Sequence, residues 1–582
     1  MQELKLNIRK DPIFRDALKQ MEKINISRSL YKLFRLLRLD GKEITALYLL
    51  SILSGLIQLS LPLGIQAIIN FAIVATGRKQ LPASMWVLIL LVVLGVLFTG
   101  MLKINQMKIV EKIQQKIFTR FSFEFSYRIP KLNVISIDQY HLPELVNRFF
   151  DIPTLQKSLA KLLLDIPTAV IQLCFGLILL AFYNSVFIVF GIILLVVLYL
   201  ILYISSPKGF EASLEESNYK YDLGGWVQEI ARGIKTFKFF NSFNLHLEKT
   251  NHLLEGYLHS RNRHFQILKL QYWSLVVFKI LITASMLIVG GILLIRQEIN
   301  IGQFIAAEII ILTIMNAVEK LIVSLETVYD LLTSVEKINK ITEKPIDEEG
   351  SYEFVKKQGI EIEAKNLSFG FEKTPILKNI SFLIKPGQKV AITGDGDSGK
   401  TVLLRMLTGV FQDFEGDLSF DQVPINNYNL NTLRNNIGIY MQKQDIFSAS
   451  LWENITLGNK EVKEQDVLDT FKIVGLDNFY KSLSKGFDTH LEPTGKQLSS
   501  SSVQKLLIAR SLLNQPALLL LDEPMKLIAA DDKQYLKNYL FGLKDVTIIF
   551  TTNDPALIAK CDMVIHLDKG QIQSIQNTNV SN

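Results

Sequence analysis

Hydrophobic positions follow two different patterns along this chain, and the change falls near residue 330. Before it, apolar residues form six long runs, at 45–74, 85–104, 159–183, 186–204, 272–295 and 302–325. Each approaches or exceeds the ~20 residues that a helix needs to cross ~30 Å of hydrocarbon. The joints between the runs alternate in kind. Those at 76–84, 183–185 and 296–301 are short and carry only Arg78, Lys79 and Arg296 as bases. Those at 103–158 and 205–271 are long, helical in pattern and rich in Lys and Arg. Bases stay on the inner side of a membrane, so the short loops are predicted outside and the long arms and both termini in the cytoplasm. Ahead of the first run, residues 29–39 put Leu30, Leu33, Phe34 and Leu37 on one face and bases elsewhere. That predicts a helix lying along the inner leaflet, with a buried first turn of the bundle as the alternative.

Residues 334–359 lose hydrophobicity and gain charge, as the end of a helix and a linker would. Beyond them, strand-like runs at 360–369, 380–384, 389–393, 517–521 and 546–550 alternate with helical patterns at 401–407, 502–513 and 533–541. Such alternation predicts an α/β domain with a partly parallel sheet. Past Gln571 the chain is polar, which predicts a disordered end. The expected organisation is a cytoplasmic segment 1–28, a membrane domain 29–335, a linker 336–359, an α/β domain 360–572 and a tail 573–582.

Composition narrows this picture. At 582 residues and 49% hydrophobic, the chain is too long for one core. The net charge of +7 comes from bases crowding the flanks of the apolar runs. No basic stripe interleaved with aromatics appears, so nucleic acid is excluded as a partner. Cys174 and Cys561 offer neither a disulfide framework nor metal-ligand spacing. Residues 1–28 mix charges and hold no short apolar stretch or cleavage site, so they read as neither a signal nor a transit peptide. Insertion would then be directed by the first span.

Within the runs, Glu308 and Lys279 are costly charges. They read either as a polar lining of a transport path, suited to a cationic or peptidic substrate, or as a mutual ion pair; Lys279 snorkelling to an interface is a further alternative. Gln58, Gln66 and Asn70 recur on one side of the first run, a face turned toward other helices or a cavity.

The chemistry lies in the α/β part. Gly394-Asp395-Gly396-Asp397-Ser398-Gly399-Lys400-Thr401 follows the strand 389–393 and is a full match to G-x4-G-K-[ST]. Its glycines let backbone N–H groups turn toward a phosphate chain, Lys400 supplies a fixed positive charge, and the Thr401 hydroxyl is placed to ligate Mg²⁺. About 120 residues later, Leu518-Leu519-Leu520-Leu521-Asp522-Glu523 is an apolar strand ending in two carboxylates. Asp522 can hold the Mg²⁺ through water and Glu523 can polarise the attacking water. Together with the membrane half, this defines the expected fold class: an all-α polytopic membrane domain of six transmembrane helices with long cytoplasmic extensions, followed by an α/β P-loop NTPase domain.

In its order of parts, from about Ser29 onward, the chain resembles a half-transporter of the ABC exporter family. The resemblance implies an ATPase coupled to transport, with ATP and Mg²⁺ bound. It implies a bacterial inner membrane, a lipid bilayer and a second half-transporter as surroundings, in a homodimer or a heterodimer. Phe371, in Leu367-Ser368-Phe369-Gly370-Phe371, sits where the family stacks an aromatic ring on adenine, and Gln442 resembles the glutamine that senses the γ-phosphate and Mg²⁺. Taken singly, a core aromatic and a solvated loop residue are the plain alternatives for these two. Residues 144–156 and 225–241 resemble the arm tips that dock on nucleotide domains. The membrane half is most similar to the branch that includes type I secretion exporters, which adds a periplasmic adaptor protein to the implied partners; no leader-peptidase domain is expected at the N-terminus. The transported substrate stays open.

Three family elements are altered. The LSGGQ signature reads Leu498-Ser499-Ser500-Ser501-Ser502, so Ser499 survives but the glycines that allow close backbone approach to the γ-phosphate do not. Asn553 stands at the position of the switch histidine and can donate a hydrogen bond but carry no charge. Pro524-Met525-Lys526-Leu527-Ile528-Ala529 replaces the usual S-A-L-D loop. Asp395 and Asp397 are tolerable in a phosphate loop only if they point away from the nucleotide. Two functions remain in view: a hydrolysing exporter, or a slow or non-hydrolysing regulatory half of a heterodimer.

Overall fold

A computed structural model describes residues 26–74, 83–137, 145–240, 244–355, 358–371, 374–442 and 444–578. The N-terminal segment up to residue 25, most of the first short loop, and Glu144 and Asn241 at the ends of the two expected arm tips lie outside the described residues. The chain separates into two compact units.

The first unit is helical. A short helix α1 (Ile26–Arg38) precedes α2 (Gly41–Gln58), α3 (Ser60–Val74), α4 (Ala83–Arg128), α5 (Asp151–Tyr183), α6 (Val186–Arg232), α7 (Leu245–Ile295) and α8 (Ile301–Thr342). Six stretches of the described residues are long and apolar enough to cross a membrane, one for each expected run. The first run is broken at Leu59, because Pro62 in the first turn of α3 has no N–H to give and its ring would clash with the carbonyl four residues back. The remaining helices outrun their apolar cores: α6 and α7 extend over 47 and 51 residues. The amphipathic arms simply continue the helices that span. Where α5 meets α8 the contact uses small residues; a Cβ on Gly176 would lie 2.8 Å from Ile314 Cγ1.

Polar positions in the spans find partners across helices. Gln58 Oε1 accepts from Gln172 Nε2 at 2.8 Å and Gln66 Oε1 from the Tyr183 hydroxyl at 2.5 Å, so this face of α2 and α3 turns toward α5. Lys279 does not pair with Glu308. Its Nζ donates to Glu319 at 2.6 Å, because antiparallel α7 and α8 bring position 279 opposite 319, as Thr283 beside Met315 also shows. In α1, Leu33 is buried while Tyr31 and Phe34 are exposed, and Lys32 pairs with Glu336 of α8 and with Glu343, the residue that caps its end. This helix is amphipathic, as expected, and also ionically tied to the end of the last span.

The second unit holds two main sheets. β1 (Ile362–Phe371), β2 (Thr374–Ile384), β4 (Glu415–Phe420) and β5 (Val423–Pro424) form an antiparallel sheet in the order β2-β1-β4-β5. β3 (Lys389–Thr393), β6 (Ile437–Tyr440), β9 (Leu518–Asp522), β10 (Thr547–Thr551), β11 (Met563–Asp568) and β12 (Gln571–Asn577) form the other, in the order β12-β11-β3-β10-β9-β6. Strands β7 (Ala449–Ser450) and β8 (His490–Leu491) pair separately. In the six-stranded sheet only β12 is antiparallel, and the central strands β3, β9 and β10 are buried at every position. Apolar runs covered on both faces explain their unbroken hydrophobicity.

Two expectations are corrected here. The tail expected to be disordered from residue 573 begins instead within β12, paired with β11 from Asp568↔Gln571 to Met563↔Asn577, and its last residues, 579–582, lie outside the described residues. It is polar because it is an exposed edge strand, and the turn at Gly570 (φ 78°) returns it to the sheet. The second unit also takes in residues 131–137 of the first arm. Lys131 O accepts from Asp347 N at 2.7 Å, Asn133 N donates to Pro345 O at 3.1 Å, and Lys131 pairs with Glu349 at 2.8 Å. A piece of an arm is thus stitched to the linker as a small bridge, while Val134 and Ile135 pack on the core of the α/β unit.

Candidate active site

The C-terminal ends of β3 and β9 converge, as ligand sites in open α/β sheets do. After β3 the chain turns through Gly394 (φ 145°) and Asp397 (φ 61°) to Gly399 (φ 98°), the N-cap of α9 (Lys400–Met406). Glycine is needed at both ends of this loop. A Cβ on Gly394 would lie 2.1 Å from Leu567 O, and one on Gly399 would lie 2.8 Å from Leu377 Cδ2. Asp397 occupies a left-handed conformation that Asp tolerates better than most residues. Asp395, Gly396 and Asp397 are exposed, whereas Ser398 is buried. Lys400 Nζ folds back across the loop and donates to Gly394 O (2.7 Å), Asp395 O (2.6 Å) and Ser398 Oγ (3.2 Å).

At the end of β9, buried Asp522 accepts from the Thr401 hydroxyl at 3.2 Å and from Thr551 Oγ1 at 2.5 Å. Thr551 is its direct neighbour in the parallel register of β10. Glu523 follows with φ 49°, uncommon for a residue with a side chain, and its N–H donates to Thr551 O at 3.1 Å. Its Oε2 accepts from Gln442 Nε2 and from Lys526 Nζ, both at 2.8 Å. That bond holds the Lys526 ammonium above the ordinary lysine range.

The altered elements are all accounted for. Ser499 is the N-cap of α10 (Ser500–Leu512): its Oγ accepts from Ser502 N at 3.0 Å, and Ser500 and Ser501 form the first turn. Asn553 contacts Gly394 at both ends of its side-chain amide. Ala529 is the N-cap of α11 (Ala530–Gly542) and provides no side-chain cap. Phe371 is half-buried, edge-on to Phe369 at 5.2 Å and to Phe411 at 5.6 Å.

Thr551 and Gln504 belong to this site although sequence reasoning passed them over. Gln504, buried in α10, donates to Pro524 O at 3.1 Å and accepts from Leu527 N at 2.9 Å, which pins the loop after Glu523. Thr551 had one available signal, a hydroxyl at the end of a strand in register with Asp522. Gln504 had none without the packing of α10.

Comparison with known proteins gives the class. The ABC transporter transmembrane region matches residues 44–318 and the ABC transporter family matches residues 377–526. The chain belongs to the ABC transporters, membrane proteins of many spans carrying an ATP-binding domain. Within them it has the arrangement of an exporter half-transporter, one membrane region followed by one nucleotide domain.

Curated relatives include heavy metal tolerance factor 1 of Caenorhabditis elegans, 29% identical over 45% of this chain and 32% of that protein. The uncharacterized ABC transporter ATP-binding protein YknU of Bacillus subtilis is 28% identical over 50% of each. The ATP-dependent lipid A-core flippase of Francisella tularensis is 30% identical over 41% of this chain and 40% of its own. The matched parts span half or less of these relatives. The fold is that of a bacterial Atm1-family ABC exporter solved with ATP bound, with a TM-score of 0.84 over 93% of this chain and 95% of that one at 18% identity.

Proposed function

We propose that this chain hydrolyses ATP to drive export of a substrate across a bacterial cytoplasmic membrane, as a homodimer or as one half of a heterodimer. In this reading the nucleotide unit and both termini face the cytoplasm. The observation that carries it is the meeting of Lys400, Thr401, Gln442, Asp522 and Glu523, drawn from three distant parts of the sequence. Thr401 and Asp522 present a hydroxyl and a carboxylate 3.2 Å apart, a hard-oxygen pair that fits Mg²⁺. That ion is held by one or two protein oxygens together with substrate phosphates, not by an all-protein cage. Gln442, bonded to Glu523, is the further candidate ligand in this reading.

When bound, Mg²⁺ neutralises phosphate charge; the remaining chemistry belongs to the chain. Lys400 exchanges loop carbonyls for phosphate oxygens, and Phe371 offers its ring to stack on adenine. The attacking water bonds to the γ-phosphorus as the bond to the β–γ bridging oxygen breaks. Its proton passes to Glu523, and ADP leaves with the electron pair. Ser499, Ser500 and Ser501 would face the ATP of the partner subunit, and Asn553 would take the switch position. A periplasmic adaptor is a further partner in the secretion-type version of this reading.

A second reading, the slow or non-hydrolysing half of a heterodimer, is favoured by the Ser499 hydroxyl being engaged in capping its own helix and by Asn553 being held by Gly394. Steady-state ATPase activity of the purified chain in lipid separates the two. Glu523→Gln is expected to lower turnover by ~10² or more, and Lys400→Ala to lose most binding of a labelled ATP analogue. Wild type as slow as Glu523→Gln selects the second reading. Undiminished analogue binding by Lys400→Ala overturns the phosphate-loop assignment.

A further inference from the structure

We propose that Thr551 is a positioning residue for the Mg²⁺ site, its hydroxyl fixing the direction in which the Asp522 carboxylate points; this rests on the reading of Asp522 as the acid that holds the metal. Strands β9 and β10 run parallel, and Asp522 stands opposite Thr551 in the last pair of their ladder. Both side chains are buried. A hydroxyl has one proton to give. The Glu523 N–H can only donate, and it bonds Thr551 Oγ1 at 3.0 Å, so the hydroxyl proton is left to point the other way, to Asp522 Oδ1 at 2.5 Å. Threonine is stiff at χ1, which holds this direction without ordering a flexible chain.

The Thr401 hydroxyl lies nearer the other carboxylate oxygen, 3.2 Å from Oδ2 against 3.4 Å from Oδ1. One oxygen of Asp522 is thus tied to the sheet, and the other faces Thr401 and the phosphate loop. Partners that orient a metal-holding side chain carry about 10- to 100-fold of metal affinity. Valine, of nearly the same shape, would leave Oδ1 buried without this donor and the carboxylate free to turn. The backbone should survive the change, because Glu523 N also donates to Thr551 O at 3.1 Å, a bond that valine keeps. The loss should therefore fall on metal binding and spare metal-free nucleotide binding.

The test uses the full chain in lipid nanodiscs. Mn²⁺, an EPR-visible ion that shares the oxygen preference of Mg²⁺, is titrated into chain carrying a non-hydrolysable ATP analogue, and binding of a labelled analogue is measured separately in EDTA. Wild type is compared with Thr551→Val, Thr551→Ser and, as reference, Asp522→Asn. Thr551→Val should weaken Mn²⁺ binding about tenfold or more, with analogue binding in EDTA within about twofold of wild type. Thr551→Ser, which keeps the hydroxyl, should recover most of the loss. With Asp522→Asn impaired, three results each overturn the inference alone: unchanged Mn²⁺ binding by Thr551→Val, an equal loss of its metal-free analogue binding, or a Thr551→Ser chain as weak as Thr551→Val. An Asp522→Asn chain that binds Mn²⁺ as wild type does overturns the reading of Asp522 and the inference with it.

Discussion

Asn553 grips the first glycine of the phosphate loop with both ends of its amide: Oδ1 accepts from Gly394 N at 3.3 Å and Nδ2 donates to Gly394 O at 3.1 Å. It thereby holds the N–H and the C=O of one residue, groups of two successive peptide units. Asn553 therefore braces the loop at Gly394, whose carbonyl oxygen also accepts from Lys400.

Removing that brace should loosen the loop. Asn553→Ala is expected to weaken binding of a labelled ATP analogue about five- to tenfold, the worth of two neutral hydrogen bonds. Asn553→Asp should be weaker still, because it places an oxygen against Gly394 O and a negative charge near the phosphates. Equilibrium binding in detergent or lipid gives the answer, and equal dissociation constants for wild type and Asn553→Ala would refute the brace.

Ser500 and Ser501 fill the first turn of α10, while Ser499 caps it. In the proposed reading their side chains cover backbone that would approach the partner's ATP. Ser500→Gly with Ser501→Gly should open that surface to the partner's γ-phosphate and raise ATPase activity about tenfold, roughly one charge-assisted hydrogen bond. Helix stability should fall slightly, by about 0.5–1 kcal/mol per glycine. Unchanged activity at equal expression would mean that this segment does not meet the nucleotide.

Lys337 tests the buried electrostatics of the helical unit, beyond the apolar part of α8. It is 1% exposed, donates to Asn218 Oδ1 and lies 4.9 Å from the centre of the Tyr221 ring. Burial pushes its ammonium down to about 7, with Lys340 and Arg148 adding to the effect. The unfolded lysine stays protonated until far higher pH, so between about pH 7 and 10 unfolding takes up a proton. Stability should therefore rise with pH through that window, by at most about 1.4 kcal/mol per unit from this group. Thermal unfolding at pH 7 and pH 9 should show the rise in wild type and a flatter response in Lys337→Met; parallel responses would sink the assignment.

Some of this protein could be read without its fold, because the physics involved is local. A bilayer demands about twenty consecutive apolar residues in a helix, so the six spans announce themselves. A phosphate loop demands glycines beside a lysine, and a doubly covered strand demands an unbroken apolar run, so 394–401 and 518–523 stand out. Register between distant elements has no such local signature. Lys279 meets Glu319 instead of Glu308 because α7 and α8 are antiparallel at one particular offset. The polar end becomes β12 because β11 would otherwise present an open edge of unpaired peptide groups. Residues 131–137 join the linker for a similar reason, pairing backbone groups with residues more than two hundred positions away. Asn553, Thr551, Gln504 and Lys526 acquire their partners only when the ends of β3, β9 and β10 and the start of α10 are packed together. Local chemistry thus specifies the kind of machine, while packing decides which side chain touches the reacting groups.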